Sequence, residues 1–97
     1  MSFKIELRPL ATIEMLDAYD WYELQKEGLG HEFLDELSDF FASVQQNPYT
    51  HSYYEASVRQ AKINRFPYTV LYEPFDTAIV IYSIFMTKQD PSKKRVK

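Results

Sequence analysis

Arg65-Phe66-Pro67-Tyr68-Thr69-Val70-Leu71-Tyr72 is the stretch on which the fold turns. Pro67 fixes its own φ and carries no N–H, so it marks a turn into a strand rather than the middle of one. From Tyr68 onward the side chains alternate. Tyr68, Val70 and Tyr72 share one face, and Thr69 and Leu71 share the other. Tyrosines so placed either cover a core with their rings or stand in solvent as platforms for stacked bases. On either side, Val58–Phe66 and Ala78–Met86 also carry β-branched and aromatic residues, and Asp76-Thr77 suits a hairpin tip. Three such strands joined by short links predict an antiparallel meander over Val58–Phe66, Tyr68–Phe75 and Ala78–Met86. Residues 49–56 read as a loop.

Toward the N-terminus the period changes. Phe3–Leu7 alternates apolar and polar like a half-buried strand, and Pro9 ends it. Ile13, Met15, Leu16, Ala18, Tyr19, Trp21 and Tyr22 predict a helix over about 11–27, with Thr12 as a cap. Trp21 and Tyr22 are expected to pack against the second helix and the sheet. Gly28 and Gly30 then make a tight turn, which a helix precedes, so a phosphate loop is not expected. Phe33, Leu37, Phe40, Phe41 and Val44 recur at helical spacing over about 30–47, until Asn47-Pro48 stops the helix. Two helices joined by so short a turn should pack as an antiparallel hairpin. The predicted order is β-α-α-β-β-β. It describes an α+β domain with a helical hairpin packed on a twisted antiparallel four-stranded sheet.

The 97 residues suit one domain over 1–97, with a basic tail over 88–97 expected to be mobile. With 45% hydrophobic and 16% aromatic residues, the chain is rich enough to fill a core. It has no cysteine, which excludes disulfides and thiol chemistry. No apolar run approaches a membrane span and no signal-peptide core follows the start, so a cytoplasmic protein is expected. A net charge of −3 argues against a general nucleic-acid binder. The charge is uneven, however. Acids crowd residues 14–39, whereas Arg59, Lys62, Arg65, Lys88, Lys93, Lys94 and Arg95 come later.

On the strand before Pro67, Arg59, Ala61, Ile63 and Arg65 share a side opposite Gln60, Lys62 and Asn64. With Ala61 and Ile63 inward, Lys62 faces solvent and both arginines sit at the rims of the core face. There they pair with helix carboxylates or anchor an acidic partner segment. Lys62, its polar neighbours and the tail would then make a concave basic face. Glu32, Asp35, Glu36 and Asp39 read as a solvated helix face rather than a metal site, and no cofactor is expected.

The blocks Ala18–Tyr22, Gly28–Leu37, Asn47-Pro48, Val58-Arg59, Arg65–Tyr72 and Asp90-Pro91, in this order, resemble the RelE/ParE superfamily of type II toxin–antitoxin toxins, which includes plasmid stabilisation proteins. The resemblance covers about residues 4–91. It implies a helical hairpin on an antiparallel sheet and a small antitoxin whose disordered C-terminal segment folds across the toxin. Operator DNA would be bound only through that antitoxin. RelE-like members cleave messenger RNA on the ribosome, using basic groups and a general acid or base. This chain departs from their pattern. Thr69 stands where an arginine commonly follows the tyrosine of the third strand, and Met86 where a histidine often ends the last strand. Lys88 and Gln89 stand near the place of a second arginine, and the tail has no tyrosine or histidine. Whether the chain is an enzyme is left open. The Trp-Tyr helix and Gly-Leu-Gly turn look closer to ParE-like members, which act on DNA gyrase. A non-toxic interaction module is the remaining alternative. The residues singled out for target or antitoxin binding are Arg59, Lys62, Arg65, Tyr68, Lys88, Lys93, Lys94 and Arg95.

Overall fold

Pro9 opens the first helix as well as closing the first strand. The structure, a computed structural model, describes residues 3–87. In it β1 (Lys4–Leu7) runs directly into α1 (Pro9–Gln25). Arg8 is the extended capping residue, and Pro9 takes the first helical position, where its missing N–H costs no hydrogen bond. The helix thus starts ahead of Thr12, the residue whose type suggests a cap.

A three-residue connection leads into α2 (Leu29–Gln46). Gly28 precedes it with φ 88°, in the left-handed region. The Glu23 carboxylate holds the turn by accepting hydrogen bonds from the Gly28 N–H at 2.8 Å and the Gly30 N–H at 2.9 Å. These are two of the orphan donors at the start of α2, so the last turn of one helix caps the first turn of the next. Gly30 is needed for closeness. A Cβ there would lie 2.7 Å from the Tyr19 carbonyl oxygen.

The remaining chain forms β2 (Tyr53–Glu55), β3 (Val58–Lys62), β4 (Tyr68–Pro74) and β5 (Ala78–Met86). The helical hairpin, the β3-β4-β5 meander and the α+β class agree with expectation. The sheet differs in two respects. It has five strands in the order β1-β5-β4-β3-β2, and β1 pairs with β5 in parallel, with Ile5 beside Ile79 and Leu7 beside Ile81. The expected purely antiparallel four-stranded sheet is therefore corrected. The connection from β1 to its parallel partner β5 runs through both helices and strands β2 to β4, the long crossover that parallel pairing requires. The added strand, β2, falls in the segment read as a loop. It has three residues, all exposed, and so lacks the alternation that betrays a strand.

A bulge decides which β5 residues face inward. Leu71 pairs with Ser83 but Tyr72 with Ile81, leaving Tyr82 as the extra residue. Ile79 and Ile81 point to the helices before it, and Ile84 after it. These join Ala11, Ala18 and Tyr22 of α1, Phe33, Leu37 and Val44 of α2, and Val70 and Tyr72 of β4 in one core. The Tyr72 hydroxyl is satisfied there, donating to the Pro48 carbonyl at 2.9 Å.

Candidate functional site

β1 covers only the first half of β5, and among the described residues no strand pairs with the outer side of its second half. Tyr68 bonds toward β3 through its carbonyl, which makes its pairing with Met86, and that of Val70 with Ile84, the non-bonded kind. The N–H groups of Ile84 and Met86 accordingly point away from β4. α1 answers at Ile84. Its Glu14 carboxylate accepts from the Ile84 N–H and from the Ser83 hydroxyl, both at 2.8 Å. Beyond this clasp, α1 and the sheet diverge into a groove of about 520 Å³. Its walls include Asp17 and Trp21 of α1, and Tyr54, Leu71, Ile84 and Met86 of the sheet.

Trp21 is the residue that sequence reasoning misplaced. Successive helical residues point about 100° apart, so Trp21 and Tyr22 straddle the inward direction marked by Ala18, and the packing buries only one of them. Tyr22 is that one, at the centre of an aromatic cluster, with ring centroids 4.8 Å from Phe66 and 5.6 Å from Phe33. Trp21 is 51% exposed instead and lines the groove. A helical wheel with Ala18 inward sets Tyr22 about 40° to one side and Trp21 about 60° to the other, so only the packing of the helices and sheet separates the two.

The proposed basic residues do not converge. Arg59 makes no ion pair among the described residues. Its guanidinium donates to the Tyr49 and His51 carbonyls and to the Tyr53 hydroxyl, and it lies over the Tyr53 ring at 4.1 Å. It holds the 47–53 connection against β3 instead of meeting a helix carboxylate. Arg65 does meet one, donating to Glu32 at 2.6 Å. That bond holds the Glu32 carboxyl below its ordinary range. Tyr68 is buried in the aromatic cluster, 5.2 Å from Phe33, and burial pushes its phenol up. It offers neither a stacking platform nor a base. Tyr72 is likewise core. Lys62 also fits its expected place, exposed on the sheet face away from the helices beside Thr69. Lys88, Lys93, Lys94 and Arg95 lie outside the described residues.

The charge of the sheet's open side also departs from expectation. Among the described residues the side chains lining the groove that are charged at neutral pH are Glu14 and Asp17, both acids. Farther along that face Glu73 accepts from the Tyr82 hydroxyl at 2.8 Å. Thr69 shares a 2.6 Å hydrogen bond with Thr87. A concave surface lined by cations is not what the described residues form, because Arg59 and Arg65 are turned to structural partners. The arrangement provides a recess beside a strand edge, and among the described residues no proton-transfer set is assembled around it.

No family model matches the sequence, and no curated protein matches it. Among solved structures, the chain is similar to a chain of the chromosomal ParDE toxin–antitoxin system from P. aeruginosa, with a TM-score of 0.76. The match covers 90% of this chain and 98% of that one, at 15% identity. The chain therefore has the RelE/ParE-type fold. No helix among the described residues is long and apolar enough to cross a membrane.

Proposed function

We propose that this chain is the toxin of a type II toxin–antitoxin pair, closer to ParE than to RelE, and that it acts by binding a target such as DNA gyrase. The fold match over nearly the whole chain is the observation that carries this reading. The open sheet face supports a binding mode over RNA cleavage. On that face Thr69 lies between Lys62 and Phe85, Met86 pairs with buried Tyr68 and packs on the helix side, and Lys62 has no described basic neighbour there. One lysine cannot supply both proton transfer and charge stabilisation.

The partner is a small antitoxin with a segment that orders on binding. The groove beside the second half of β5 suits it: no described strand covers that side, so an incoming strand can use the Met86 N–H while side chains enter the recess. Lys62 and Arg65, with Lys88 and the basic tail, are the target-contact candidates.

Induced expression with and without the antitoxin tests this. Growth arrest relieved by the antitoxin, with gyrase supercoiling inhibited in extracts, is the expected result. Arrest accompanied by cleaved messenger RNA would transfer the chain to the nuclease branch. No arrest at all would leave an interaction module.

A further inference from the structure

The solvent side of α1 has the wrong chemistry for water. Leu10, Ile13 and Leu24 are 55%, 57% and 84% exposed. With Asp17 and Asp20 they fall at 10, 13, 17, 20 and 24, alternating steps of three and four that form one straight seam along a helix. Trp21 flanks the seam beside Asp17 and Leu24. The helix has four acids, Glu14, Asp17, Asp20 and Glu23, and no cation. The seam runs about 21 Å, or four turns. Its pattern is apolar at both ends and acidic in the middle.

That pattern restricts the occupant. Burying Asp17 and Asp20 requires cations opposite them, because an unpaired buried carboxylate is costly. A second copy of this chain brings its own Asp17 and Asp20 to the same place in either orientation, so self-pairing is opposed. Phosphate-bearing surfaces, whether nucleic acid or anionic lipid, are repelled by the same charges.

We propose that this seam, alongside but outside the Trp21 groove, seats a cationic amphipathic helix of a partner protein, about four turns long, with apolar anchors at its ends and Lys or Arg at its centre. The inference deepens the reading above by giving the antitoxin segment a chemistry. It rests on that reading for the partner's identity and not on toxicity. It also reverses the expectation that acidic partner residues dock on arginines.

Trp21 is the chain's single tryptophan, so its emission reports on this site alone. The full chain is titrated with two designed helical peptides of about four turns, alike except for Lys or Glu at the two central seam positions. Saturable, blue-shifted emission with the Lys peptide, at least about tenfold tighter than with the Glu peptide, is expected. The Asp17→Lys/Asp20→Lys variant should reverse the preference, while Asp35→Lys/Asp39→Lys on α2 should leave it unchanged. Both pairs are exposed, so folding is preserved, and Leu24→Ser should weaken both peptides without altering their order. Equal binding of the two peptides, or a seam variant that binds like the parent, overturns the proposal. So does an emission shift produced by phosphatidylglycerol vesicles, or dimerisation of the chain alone. A chain that never arrests growth but shows the charge reversal would remove the toxin reading and leave this one standing.

Discussion

Single residues at the helix turn make the sharpest stability predictions. Gly30→Ala drives a Cβ against the Tyr19 carbonyl, backbone that can yield only if the two helices separate. A loss of about 1–3 kcal/mol is expected from urea midpoints. Gly28→Ala meets open space but keeps a left-handed φ, so its loss should be smaller, about 1 kcal/mol. Glu23 and Glu32 link the same turn to pH. The Gly28 N–H bonded to Glu23, and Arg65 bonded to Glu32, hold both carboxyls below the ordinary range. A folded pKa below the unfolded one means stability that is fully present above about pH 4.3 and lost as pH falls through the lower folded values. Urea midpoints followed downward from neutral pH should fall in that window, and Glu23→Gln/Glu32→Gln should flatten the decline. The glycines and their turn were legible in the sequence. The carboxylate that clasps them was not, because Glu23 lies five and seven residues away and its reach depends on how the helices cross.

At the scale of elements, β5 is the strand with two lives. Its first half is central, between β1 and β4, while its second half is an edge guarded by Glu14. Glu14→Ala leaves the Ile84 N–H without that acceptor. A loss of about 1–2 kcal/mol is expected, and the Ile84 amide should exchange faster by NMR while Ile79 and Ile81 stay protected. Uniformly faster exchange along β5 would mean that Glu14 supports the whole strand and not its edge. The meander and both helices could be read from period two and period three-point-six. β2 could not, since three exposed residues give no alternation. Nor could the placement of β1, because hydrophobic alternation says that a strand has a buried face and nothing about its neighbour.

The whole molecule depends on one aromatic centre. Phe33 is fully buried among Tyr22, Phe66 and Tyr68, uniting both helices with the β3–β4 turn. Phe33→Ala should cost about 3–5 kcal/mol, a large part of a small domain's total, and cooperative melting should weaken or vanish. Lys62→Glu tests function at this scale, for it lies on the far side of the sheet from that centre. The fold should melt as the parent does while growth arrest is relieved at equal expression; unchanged arrest would take Lys62 off the target surface.

The sequence by itself determined the class, the helical hairpin, the meander and which residues of β4 share a face, because each follows from side-chain period and turn chemistry within a few residues. It also carried the order of blocks that resembles RelE/ParE toxins. Only the tertiary structure decided that β1 lies parallel to β5, that Arg59 and Arg65 are engaged, and that Trp21 opens onto an acidic groove. The reason is physical. Period fixes which face of an element is apolar, whereas charge partners and free edges depend on distances between elements far apart in the chain.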